Sequence, residues 1–257
     1  MLLLCKECEQ RFCAWESEFA LKVFHPMHAG GMTPLGLKYD GEWALKFAVS
    51  VSWRVLKWSS QNSFDHLPAN QRDPASAALK IWGDFLLDHR PHPGANEQHL
   101  IPLDFIKSHT ISDLSPFINR YLTRTVDLDV IYYGETLLTW AKMGRALLVG
   151  WVIPPAAKQH WIGTKVHVNS GQIGARQICV PDTLLKCVNL KATNAAQSLA
   201  EISPRQAAKI NAMLKGKAAD IGSYEISRAM DYDIKHAGRR AFDITHVKRK
   251  KPDSDGP

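Results

Sequence analysis

The sequence lacks an uninterrupted apolar run of the roughly 18 to 20 residues that a bilayer-spanning helix needs, and Met1 to Leu4 is far too short for the hydrophobic region of a signal peptide. A cytoplasmic protein without a membrane partner is the expectation. Cysteine is scarce too: there are five, three of them crowded at Cys5, Cys8 and Cys13, which excludes the dense, even-numbered framework of a small secreted domain. Several catalytic signatures are missing. There is no Gly-x-x-x-x-Gly-Lys phosphate loop, no Gly-x-Ser-x-Gly elbow, no His-Glu-x-x-His helix and no internal repeat.

What is present is ordinary globular composition over 257 residues, 45% hydrophobic and 22% charged, enough for one large domain or two small ones. The net charge of +7 is unevenly spread. Between His236 and Lys251 stand Arg239, Arg240, Lys248, Arg249, Lys250 and Lys251 against the single acid Asp243, so this stretch carries +5 and the rest of the chain only +2. A polyanion such as DNA would therefore meet a basic C-terminal arm, while the body is close to neutral.

The patterning predicts an α+β protein, helix-rich with a small, mainly antiparallel sheet. Phe12, Trp15, Phe19 and Val23 fall at helical spacing over residues 9–24, with Pro26 closing the segment. Residues 42–58 are apolar on two sides, as a centrally buried helix requires. Asp73-Pro74 reads as an N-cap with proline at the first helical position, opening a helix to Leu87. Alternation over 126–132 and the apolar run 146–153 read as strands, and Asn169-Ser170-Gly171 as a hairpin turn between 165–168 and 172–178. Further helices are expected over 182–199, 204–215 (behind the capping box Ser203-Pro204-Arg205-Gln206) and 223–235. The expected domains are a partial zinc knuckle and helix at 1–28, a mixed body at 29–247 and a disordered basic and polar tail at 248–257.

Cys5-Lys6-Glu7-Cys8, between a short apolar run and a helix, has the spacing that lets two thiolates meet one tetrahedral zinc. Two other readings stand beside it. A redox pair is expected within a thioredoxin-like βαβ setting, for which the residues before Cys5 leave no room, and two unremarkable helix-start cysteines are the plain alternative. Completing ligands are not evident: His25 lies about 24 Å from Cys8 along a helix rising 1.5 Å per residue, and Cys13 is turned away by five residues at about 100° each. Cys179 and Cys187 read as isolated buried thiols. Asp127 and Asp129 share one strand face, where solvent exposure explains them as well as a cation would. The tryptophans from Trp43 to Trp161 could stack bases, but most fall in apolar periodic runs that predict burial.

The segment Leu3 to Phe12 around Cys5-Lys6-Glu7-Cys8-Glu9, with Trp15-Glu16, Phe19-Ala20, Val51-Ser52-Trp53-Arg54-Val55-Leu56 and His99-Leu100-Ile101, resembles a group of uncharacterised bacterial proteins related to the HNH-type treble-clef nucleases. The resemblance implies an N-terminal ββα, treble-clef-like knuckle, zinc held through Cys5 and Cys8, and action on or near DNA. In fuller members an earlier CxxC and a Ser-His-Ile-Ile-Pro-like segment precede this point. Here Met1 stands four residues before Cys5, so the expectation is a partial module without nuclease activity. Asp65-His66-Leu67-Pro68 and His99-Leu100-Ile101-Pro102 echo the histidine segment, but both follow the CxxC instead of preceding it. The alternative expectation is a zinc-stabilised protein–protein interaction protein that does not bind nucleic acid.

Overall fold

The computed structural model describes residues 4–30, 36–109, 113–174, 177–200, 203, 205–206, 208–209 and 225–241. The architecture is α+β, and it separates into two compact units, one of residues 1–103 with 126–181, the other of residues 104–125 with 182–257. Among the described residues no helix is long and apolar enough to cross a membrane.

The first unit is organised around one helix. α1 (Lys6–Phe19) runs through a π-helical turn (Ala20–Phe24) into α2 (His25–Gly30); β1 (Leu37–Asp40) follows, then α3 (Trp43–Ser59) and α4 (Ala69–Leu86). α3 has the predicted place. It packs against α1, α4 and the sheet, and every residue from Trp43 to Ser52 is buried. The sheet runs β2-β5-β4-β3, built from β2 (Gln98–Pro102), β3 (Val126–Tyr133), β4 (Thr136–Met143) and β5 (Ala146–Ile153), antiparallel throughout. β4 and β5 are buried along nearly their whole length, β5 as a near-continuous apolar run; β3, at the edge, alternates and leaves Val126, Leu128 and Tyr132 exposed. α3 approaches the sheet closely at Gly150. A Cβ there would lie 2.5 Å from Ser52 Oγ and 2.6 Å from Thr139 Oγ1, so only glycine fits beneath the helix. Ser52 in turn donates to Gln98 Oε1 at 2.7 Å, a buried hydrogen bond that fixes the helix on β2.

Three expectations are corrected. Pro26 does not close the first helix: the π-turn immediately before it, where the His25 N–H reaches the Ala20 carbonyl, rearranges the ladder that proline cannot continue, and the helix goes on to Gly30. Asp73-Pro74 does not start α4, which begins at Ala69 and carries Pro74 inside it. The extra turn is held by Gln71, 1% exposed, whose side chain donates to the Gly134 carbonyl at 3.2 Å. The hairpin around Asn169-Ser170-Gly171 does not form either. β6 (Ser170–Ile173) pairs with β1, and Tyr39 lies across Gly171, where a Cβ would fall 2.2 Å from its hydroxyl. That hydroxyl accepts the His167 N–H at 2.6 Å, so the segment before the turn is tied to β1 and not to β6.

The second unit packs α5 (Ile118–Arg124) against α6 (Asp182–Ala200) and α7 (Glu225–Ala237). Its buried carboxylate, Asp233, accepts the backbone N–H groups of Asn119 at 2.8 Å and Arg120 at 3.3 Å and the Arg120 guanidinium at 2.8 Å, so the charge is fully paired. The expected helix over 204–215 lies almost entirely outside the described residues. Its capping box is nonetheless formed: Ser203 donates from backbone and hydroxyl to Gln206 Oε1, both at 3.0 Å, and the Gln206 N–H returns to Ser203 Oγ at 3.3 Å.

Candidate functional site

A pocket of about 770 Å³ opens in the first unit between the second half of α1, the π-turn, α3 and the edge strand β3. Its floor is apolar. Phe19 stacks on Phe47 with ring centres 4.0 Å apart, Val51 and Val55 continue the α3 face, and Leu128, Val130 and Met143 close the sheet side. Ala20 and Phe24, the first and last residues of the π-turn, both line the wall, and such turns recur at functional sites. The α3 apolar stripe through Phe47, Val51 and Val55 runs on to Trp58, past the point where the core covers it. Trp58 is accordingly 67% exposed at the rim, while Trp82, Trp140, Trp151 and Trp161 are buried as predicted.

Polar groups stand around this apolar space. Glu16 and Arg54 form an ion pair at 2.7 Å, and Arg54 also donates to the Ser50 carbonyl at 3.2 Å. Ser59 and His66 are hydrogen-bonded, Oγ to Nε2 at 2.8 Å. Asp129 completes the rim, accepting the Val130 N–H at 2.8 Å. The Ser59–His66 spacing is that of a nucleophile and base, but among the described residues no group orients Nδ1 of His66 as the third member of a triad would. The arrangement suits binding.

The two histidine–proline segments are placed differently. His66 sits exposed in the turn before α4 and lines the pocket. His99 is in β2, 1% exposed, stacked on Trp151 at 4.3 Å and hydrogen-bonded to Thr164 Oγ1 at 2.9 Å. Burial, reinforced by the charges of Lys165 and His167, lowers its pKa to about 3, so it is neutral at physiological pH and out of reach of a phosphate. His28 has a purely structural post. Its Nδ1 donates to the Phe24 carbonyl at 2.7 Å and its Nε2 accepts the Arg145 N–H at 3.3 Å, beside Gly144, whose positive φ turns the β4–β5 hairpin.

Cys5 is the N-cap of α1 and Cys8 lies in its first turn, so both cysteines of the CxxC stand at the start of one helix. The neighbouring Cys5 thiol, with burial, raises the Cys8 pKa, and the Glu7 pKa is lowered, by its own backbone N–H first and by Cys5 second. As zinc ligands they are two donors of the four required. Among the described residues no group of three or more His, Cys, Asp or Glu side chains could hold a metal, so the described donors do not complete the site. Of the basic arm, Arg239 and Arg240 are exposed on a 3₁₀ turn (Gly238–Ala241); Lys248, Arg249, Lys250 and Lys251 lie outside the described residues. The aspartates Asp127 and Asp129 lie on the edge strand, Asp127 opposite Lys142 and Asp129 opposite Trp140.

Sequence reasoning singled out His66 but not Glu16, Arg54, Ser59 or the π-turn around it. The one available signal was the α3 stripe, which stays apolar to Trp58 after the polar residues Arg54 and Lys57 have begun. No family model matches the chain, and neither the curated proteins nor the solved structures contain a match to it.

Proposed function

We propose that the first unit is a small-molecule-binding domain whose pocket takes a ligand with an apolar body and a basic head group. The observation that carries this reading is the 770 Å³ space itself, within the range of ligand sites, with an apolar floor and a few convergent polar groups. The indole of Trp58, 67% exposed at the rim, offers its π face to a cation at the mouth. Thermal unfolding with octylamine tests it, octanoate serving as the probe of opposite charge. Octylamine should raise the melting temperature saturably, by several degrees at about a hundred times Kd, where linkage supplies about 2.7 kcal/mol. Ala20→Phe, which fills the wall, should abolish the shift. Stabilisation by octanoate alone would reverse the head group, and no shift with either would remove the reading.

A second reading keeps the expectation of contact with DNA. Its support is the exposure of Arg239 and Arg240 at the start of the basic arm. Such binding would be non-specific and strongly salt-dependent, and removing residues 248–257, four basic side chains, should flatten the slope of log affinity against log salt by at most about 3.6 at roughly 0.9 per phosphate contact. Unchanged affinity after truncation would locate the binding surface on the folded units. A nuclease-related activity through zinc at Cys5 and Cys8 has no further support from the described side chains.

A further inference from the structure

We propose that Cys5 and Cys8 form a thiol–disulfide exchange site that takes a low-molecular-weight disulfide as its co-substrate. The geometry belongs to the helix start. Cys5, as N-cap, has extended backbone at φ −80° and ψ 166°, while Cys8, three residues on, is already helical. An N-cap residue and the residue three positions later lie over the same side of the first turn, which is why the two thiols meet. They differ in access: Cys5 is exposed and Cys8 half-buried. A disulfide in solution therefore reaches Cys5 first. Cys8, half-buried one turn further along the helix, is placed to act second.

The exchange balances in two steps. The Cys5 thiol loses its proton, and its sulfur attacks one sulfur of R–S–S–R; that S–S bond breaks, and the departing RS⁻ takes up a proton to leave as RSH. The Cys8 thiol then loses its proton and attacks Cys5 Sγ of the mixed disulfide, forming the Cys5–Cys8 bond and releasing the second RS⁻, protonated likewise. Two protein thiols are oxidised by two electrons, and one external disulfide is reduced to two thiols. Cys13 is an internal comparison. It is exposed on the same helix, but five residues beyond Cys8 it is turned away from the pair, so it has no resolving partner there.

The experiment equilibrates the full chain in glutathione buffers of graded ratio, quenches with acid, alkylates and maps each cysteine by mass spectrometry. Cys5 and Cys8 should oxidise together as an internal disulfide, and Cys13 should only acquire glutathione. Cys8→Ser should trap glutathione on Cys5, and Cys5→Ser should slow modification of Cys8 at least about tenfold, as expected when the accessible thiol acts first. Independent glutathione addition at all three positions at similar rates, with no internal bond in the unmutated chain, would overturn the proposal. So would one zinc per chain that resists a chelator, blocks oxidation and is lost in Cys5→Ser, since the pair would then be metal ligands.

Discussion

Asp65-His66-Leu67-Pro68 and His99-Leu100-Ile101-Pro102 look alike as sequence, each a histidine followed shortly by proline, yet the fold gives them opposite surroundings. His66 stands in water in a turn, with one hydrogen bond to Ser59. His99 is a strand residue between two tryptophans, with its ring 4.3 Å from Trp151 and 4.9 Å from Trp161. The difference arises two residues later. Ile101 pairs with Leu147 and Leu100 with Leu148 on β5, so the second segment is drawn into the sheet, whereas Pro68 begins α4 and leaves the first at the surface. A histidine's chemistry is thus decided by its partners in space, and the local motif does not carry it.

The largest effect should come from His99→Ala, which opens a cavity beside two indoles and deprives Thr164 of its partner. A loss of about 2 to 4 kcal/mol in denaturant unfolding is expected. A loss below about 0.5 kcal/mol would mean that the cluster is not a packed core. Its pH signature has a definite sign. With the folded pKa about 3 and the unfolded value near 6.5, the unfolded chain holds the extra proton between these limits, so His99 makes stability fall as pH drops from about 6.5 to about 3 and contributes nothing to the slope above. His99→Gln should flatten that limb.

Lys142 sharpens the contrast from the other side. It is fully buried on β4, its amine donates to the Gly144 carbonyl at 2.8 Å, and burial lowers its pKa to about 7, the opposing charge of Asp127 only partly offsetting this. Between pH 7 and about 10 the unfolded chain binds the extra proton, so stability rises with pH across that window; below 7 the charged amine is at its most unfavourable. Lys142→Met should therefore stabilise the protein at pH 6 by about 1 to 3 kcal/mol, and less at pH 10. Equal effects at both pH values would show that the amine does not titrate in that range. The smallest effect belongs to His66→Ala, expected within about 0.5 kcal/mol of the parent. A larger loss would place the turn in the core.

Much of the scaffold was legible because its signals are periodic and local. α3 followed from its two apolar faces, β5 from a continuous apolar run, β3 from alternation, and α6 was expected over 182–199. β4 escaped even though Gly134-Glu135 and Gly144-Arg145 bracket it as two-residue turns with glycine at positive φ, the clearest hairpin signal in the chain. Pro74 and Pro26 misled for a shared reason: proline marks a helix boundary only when nothing stabilises the turns on its other side, and here buried Gln71 and the π-turn do. The pocket was the least legible part. Glu16, Arg54, His66 and Asp129 come from four separate segments, and only the packing of α1 on α3 beside an edge strand gathers them.

Entry of small molecules at the Trp58 rim should leave the His99 cluster untouched. It is tested most directly by fluorine NMR of the chain labelled with 5-fluorotryptophan, the Trp58 and Trp151 signals among its eight tryptophans being assigned through Trp58→Phe and Trp151→Phe. During titration with octylamine the Trp58 resonance should shift progressively to a plateau while that of Trp151 stays fixed. A Trp58 signal that never moves, or one that moves only in step with all the others, would show that the ligand does not enter there.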